Sequence, residues 1–213
     1  MNLLRSREVA LGLIVLALIV AVGIRAPVFL GLDSLYAMLI DTSFLFMLAL
    51  TQMAIILTRG IDLSVASNLA LTGMVAALFA AAFPGVPMPL VLLLAVVVGT
   101  GLGLVNGGLV AYLNIPPIVV TLGTLAIYRG MIFVIAGGAW LTSDDMSPAF
   151  VAFPKTTLLG IHILIWFAVL VSGAFFVLLN HSAVGRSLYA IGGNPVASYC
   201  CTRDPHDRSS KHR

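Results

Sequence analysis

Six apolar runs, each close to the length of a bilayer crossing, constrain this chain more than any other feature. A hydrocarbon core about 30 Å thick is spanned by about 20 helical residues. The runs are Val9–Ile24, Leu35–Leu57, Val65–Phe83, Met88–Leu113, Ile118–Ile135 and Ile161–Leu179. The breaks between them carry turn residues: Arg25-Ala-Pro27, Arg59-Gly60, Pro84-Gly-Val-Pro87, Asn114-Ile-Pro-Pro117 and the longer Gly137–Gly160 stretch. The expectation is an all-α, polytopic transmembrane bundle of about six spans. Composition excludes the alternatives: 61% of the 213 residues are hydrophobic and 9% are charged. That leaves too little charge for a water-soluble surface and too much apolar content for disorder.

The first run could also be read as a cleavable signal peptide, since Arg5 and Arg7 precede it and Ala21-Val-Gly23 resembles a cleavage site. Further spans follow at once, which favours an uncleaved signal-anchor helix. Six spans place both ends on one side. Arg5, Arg7, Arg59 and Arg186 fall there, against Arg25 and Lys155 opposite, and the basic residues of the tail reinforce the bias. The positive-inside rule then puts both termini in the cytoplasm and Gly137–Gly160 outside.

Residues 1–198 carry a net charge of +1 and the last fifteen carry +2. No basic stripe interleaved with aromatics exists, so no nucleic-acid partner is expected. The two cysteines, Cys200 and Cys201, are adjacent and make neither a disulfide framework nor a metal motif.

Charges within the spans carry most of the functional information. Asp41 lies in the second run, Arg129 in the fifth, and Arg59 with Asp62 at the break between the second and third. A charge at mid-bilayer costs roughly 2.5–3.5 kcal/mol, so it is paired, solvated or functional. Two readings stand: mutual ion pairs that lock helix packing, or the lining of a water-filled path for a polar solute. Asp41, Asp62, Asn68, Asn106 and Arg129 are the candidates for that path. Gly60 frees the backbone, and Asp62 or Ser64 can cap the helix that follows. Gly99, Gly103 and Gly107 recur every four residues on one helical face, a spacing that suits close helix packing. No phosphate-binding loop, no H-E-x-x-H and no G-x-S-x-G occurs. No catalytic residue, metal site or cofactor is therefore expected, and any energy source lies in an ion gradient or another subunit.

Three stretches go further. Leu57-Thr-Arg-Gly-Ile-Asp-Leu-Ser-Val65, Asn114 through Gly130, and Gly185-Arg-Ser-Leu-Tyr-Ala-Ile-Gly-Gly-Asn-Pro195 resemble, in order, segments of the permease subunits of bacterial ribose-, xylose- and galactose-type ABC importers. Arg59 and Gly138-Ala-Trp140 are most similar to the rhamnose-type branch. The resemblance implies a multi-pass permease that moves a monosaccharide across the bacterial cytoplasmic membrane as one of two copies, identical or different. It also implies a periplasmic sugar-binding protein and a separate cytoplasmic ABC ATPase as partners. Gly185, Arg186, Gly192, Gly193, Asn194 and Pro195 would belong to the loop that touches the ATPase.

The resemblance runs through nearly all of residues 8–198 of a transmembrane permease domain expected at residues 1–198, and the polar tail 199–213 departs from it. That tail reads as the product of a frameshift or early stop, with a genuine short cytoplasmic tail as the alternative. Two other functional readings are an ion-coupled secondary carrier using Asp41 or Asp62, and an inserted fragment with no transport role.

Overall fold

The computed structural model describes residues 7–139 and 141–193. The chain divides into two compact units, Met1–Leu45 and Phe46–Arg213. In the first, helix α1 (Arg7–Arg25) leads into a 3-10 turn at Pro27–Leu30 and then into helix α2 (Leu32–Leu57), which continues beyond this unit. Gly23 lets the turn fold back, because a Cβ there would stand 2.6 Å from Leu30 Cδ1. The Ser34 hydroxyl donates to the Val28 carbonyl and fastens the start of α2 to the same turn (2.7 Å). Every side chain from Leu11 to Val20 is exposed.

The second unit holds the rest of α2 and helices α3 (Val65–Ala82), α4 (Met88–Leu113), α5 (Pro117–Ile135), α6 (Pro148–Ala152), α7 (Ile163–His181) and α8 (Ala183–Gly193). Five helices among the described residues, α2 to α5 and α7, are long and apolar enough to cross a membrane, and α1 adds a shorter apolar segment, Val9–Arg25. The helical ends lie within a turn of the apolar runs.

Helix α3 is central, packing against both α4 and α5. Its buried face is Ser67, Leu71, Ala76, Ala77 and Ala80. Small side chains let backbones approach where lipid supplies no hydrophobic drive for association. Ala76 and Ala80 meet Val91 of α4, with Phe79, Val86, Met88, Ala95 and Phe150 around them. Helix α4 ends at Asn114, whose left-handed conformation (φ 53°) is one that asparagine tolerates. Pro116 and Pro117 then set the extended entry and first turn of α5.

Two segments differ from the sequence expectation. The sixth span begins at Ile163, because Ile161–His162 pair antiparallel with Thr157–Leu158 across a two-residue turn. Both turn residues, Leu159 and Gly160, have positive φ, the geometry that matches the twist of a tight hairpin. The Gly185–Gly193 stretch, expected as part of the loop that touches the ATPase, is helical. Ser182 accepts a hydrogen bond from the Gly185 N–H (3.0 Å) at the start of α8. Val184, Leu188 and Ile191 then recur at helical spacing, and that periodicity outweighs the glycines.

Candidate functional site

The break between α2 and α3 is built by local hydrogen bonding. The Arg59 N–H donates to the Ile56 carbonyl (2.9 Å) and the Gly60 N–H to the Ile55 carbonyl (3.1 Å). This double bond pattern closes a helix whose next residue is left-handed, a place where glycine is usual. Arg59 occupies it, at φ 61°. The chain then runs non-helically to Ser64 and re-enters a helix at Val65.

Asp62 organises that re-entry. Its Oδ1 accepts from both the backbone N–H and the hydroxyl of Ser64, each at 2.7 Å. Ser64, fully buried, in turn accepts from Asn106 Nδ2 of α4 (2.7 Å). The Tyr128 hydroxyl of α5 donates to the Leu102 carbonyl (2.9 Å) and stands 3.4 Å from Asn106 Oδ1. Thr121 of α5 donates weakly to the Ile61 carbonyl (3.4 Å). The break, α4 and α5 are therefore joined by one polar network. Buried polar groups are costly unless paired, so such a network fixes one arrangement of the helices.

Beside this network lies a cavity of about 590 Å³. Its walls come from the second half of α2 (Leu48, Thr51, Ile55), the break (Thr58, Asp62), α3 (Asn68, Thr72), α4 (Gly99, Gly103, Gly107) and the start of α5 (Pro117, Thr121). The walls are mainly apolar, with a few convergent polar groups, which is the usual make-up of a small-molecule pocket. Asn68 Nδ2 donates to the Gly99 carbonyl (3.4 Å) and its Oδ1 accepts from Thr72 (3.2 Å). The second carboxylate oxygen of Asp62 takes no hydrogen bond among the described residues.

Of the five path candidates, Asp62, Asn68 and Asn106 line the cavity. Arg129 does not. It stands exposed on α5, about 100° around the helix from buried Tyr128. Asp41 is exposed in the first unit and also does not line it. The expected ion pairs among these charges are not formed among the described residues. Asp62 is engaged by Ser64, and the Arg59 guanidinium donates to the carbonyls of Gly192 (2.9 Å) and Gly193 (3.1 Å).

The α4 glycines part company. A Cβ at Gly99 would touch Thr72 Oγ1 at 3.4 Å, whereas nothing lies within 4 Å of one at Gly103 or Gly107. Thr51, Thr58 and Thr72 are lining residues that sequence reasoning passed over. Their signal was positional: Thr58 lies seven residues after Thr51, just past the end of α2, and Thr72 lies one turn beyond Asn68.

In the region assigned to coupling, Gly185 is buried and a Cβ there would overlap the carbonyls of Leu178 and Leu179. Arg186 is exposed. Gly192 lies against the Leu57 carbonyl, closely enough that a Cβ would overlap it. Asn194, Pro195, Trp140 and the 199–213 tail lie outside the described residues.

Comparison with known proteins agrees with this architecture. The family model described as "Branched-chain amino acid transport system / permease component" matches residues 34–204. The autoinducer 2 import system permease protein LsrC of Salmonella typhi is 34% identical over 190 residues, covering 89% of this chain and 53% of the relative. Its namesake in Yersinia enterocolitica is 35% identical, with 89% and 51% covered, and that of Escherichia coli O157:H7 is 34% identical, with 89% and 54% covered. The chain thus spans about half the length of these curated relatives. No solved structure matches it. With its several membrane-length helices it is a multi-pass protein of the cytoplasmic membrane, and it belongs to the branched-chain amino acid transport system permease component family.

Proposed function

We propose that the chain is a permease subunit of an ABC importer and that the cavity beside Asp62 is part of its solute path. The carrying observation is the cavity itself: about 590 Å³ within an apolar bundle, bordered by one carboxylate, two carboxamides and four threonine hydroxyls. Hydroxyls and amides both donate and accept, and a carboxylate accepts only. That set suits an uncharged, hydroxyl-rich solute better than an anion, and Asp62 disfavours an anion outright.

A monosaccharide is the proposed solute class. The rhamnose-like branch is suggested by Arg59 and Gly138-Ala-Trp140, and autoinducer 2 by the names of the relatives. The polar network holds Asp62 Oδ1, leaving the other oxygen for solute hydroxyls. A separate ATPase subunit supplies the energy, meeting the chain on the cytoplasmic side where the positive-inside rule puts α8. A periplasmic binding protein delivers solute. A second permease copy covers charges such as Arg129 that this chain leaves exposed within a span.

The unpaired Asp62 oxygen favours a second reading, an ion-coupled carrier in which Asp62 binds a proton or cation. Uptake of radiolabelled candidates, rhamnose, ribose and autoinducer 2, by cells expressing the chain with its importer partners separates the two. The importer reading expects uptake to stop on ATP depletion and to survive an uncoupler while ATP is maintained. The opposite pattern favours the carrier, and no uptake of any of them contradicts the proposed solute class.

A further inference from the structure

We propose that Arg59 is a positioning residue: a latch that ties the C-terminal end of α8 to the break bordering the cavity. Three observations meet at this point. First, Arg59 occupies a left-handed position (φ 61°) where a side chain is strained relative to glycine. An arginine there brings a local penalty that something else offsets.

Second, its guanidinium donates from Nε to the Gly192 carbonyl (2.9 Å) and from Nη2 to the Gly193 carbonyl (3.1 Å). The last four carbonyls of a helix have no partner within it, and they form the negative end of its dipole. One planar cation answering two of them is well suited to hold that end, because its donors are fixed in a fork.

Third, the backbones meet closely at the same place. Gly192 rests on the carbonyl of Leu57, the last residue of α2, with no room for a Cβ. The other end of α8 is pressed on the end of α7 through Gly185. Helix α8 is therefore held at both ends, and its C-terminal hold is a side chain of the very turn that precedes Asp62.

Only Gly60 and Ile61 separate Arg59 from Asp62, and Asp62 in turn holds Ser64 and, through it, Asn106. A displacement of α8 pulls on the Thr58–Ser64 segment, and a rearrangement of that segment moves α8. The consequence for transport rests on the importer reading, whereas the latch itself does not.

Hydrogen exchange of the full chain in nanodiscs, read by mass spectrometry, tests it without any solute or ATPase. Arg59→Gly is the informative variant because it removes the guanidinium while relaxing the backbone, so a failure to fold is not expected. The latch predicts roughly tenfold faster exchange in both 58–64 and 186–193, the effect of losing charge-assisted hydrogen bonds at a helix end. Mid-α4 amides should stay unchanged. Arg59→Lys, with one compact ammonium in place of the fork, should fall between the two.

Unchanged exchange in 186–193 would overturn the proposal, since Arg59 would then serve only its own turn. A uniform rise in every helix would overturn it as well, by making Arg59 a general stability element. If the exchange result holds while uptake by Arg59→Gly equals that of the parent, the latch stands and its transport role fails.

Discussion

Helices α1 and α3 are nearly equal in length, 19 and 18 residues, and both are strongly apolar, yet they are built for different surroundings. Along α1 the residues are mainly Leu, Ile and Val, and those from Leu11 to Val20 are all exposed; Leu16, for example, is 57% exposed. Along α3 they are largely Ala, Ser, Gly and Thr, and five of them are buried between α4 and α5. Lipid tails are as apolar as leucine, so burying a large side chain against another helix gains little that the bilayer does not already supply. Small side chains gain close approach instead, and approach allows hydrogen bonds. Hydropathy makes these helices look alike, while side-chain size tells them apart.

The sharpest break of this contrast is Ser64→Leu, just before α3. Ser64 is fully buried and bonded to Asp62 and Asn106. A leucine there overpacks the site and leaves Asn106 Nδ2 without its acceptor, while Asp62 keeps only the backbone N–H of residue 64. Overpacking and the stranded amide are each worth about 1–3 kcal/mol. The thermal unfolding midpoint of the purified protein should fall by many degrees, or the yield of folded protein collapse.

Tyr128→Phe keeps the ring and deletes only the hydroxyl that reaches Leu102 (2.9 Å). Its cost should be about 0.5–1.5 kcal/mol, a modest but measurable drop in the same assay. On α1, Leu16→Ala should stay within about 0.5 kcal/mol, as for surface substitutions generally. A large loss there would show that α1 is a packed helix and end the comparison.

The smallest effect belongs to the outer segment. Asp145 caps the short turn at Ser143–Asp145, accepting from the Thr142 N–H (2.9 Å) and hydroxyl (2.8 Å). Those bonds, the backbone one foremost, hold its carboxyl below the usual aspartate range. Its contribution to the turn is therefore complete above the ordinary aspartate value and is lost as pH falls through the lower folded value. A carboxyl-carbon NMR titration should place the midpoint below that of an unfolded aspartate, and Thr142→Val should raise it without altering unfolding at neutral pH.

Much of the architecture was legible in the sequence because a bilayer demands uninterrupted apolar length, which is a one-dimensional property. Six runs became six helices, with ends displaced by a turn at most. Which face a residue occupies is not one-dimensional. Asp62, Asn68 and Asn106 border one cavity, but Arg129 is turned away on α5 although its charge looked equally out of place. The glycines of α4 illustrate the same limit: equal spacing puts them on one face, and only the neighbouring helices decide that Gly99 meets Thr72 while Gly103 faces open space. Helix α8 was hidden because three of its eleven residues are glycines, and of these Gly192 admits the Leu57 carbonyl by lacking a Cβ.

The central claim is that the cavity beside Asp62 carries the solute, and two glycines on α4 test it directly. Gly103 lines the cavity and Gly101 does not, and neither has an atom within 4 Å of a Cβ position. Solute uptake should be measured for Gly103→Leu and Gly101→Leu at matched membrane levels, in cells that supply the importer partners. Filling the cavity at Gly103 should reduce uptake to background, while Gly101→Leu should transport like the parent. Normal uptake by Gly103→Leu would contradict the claim.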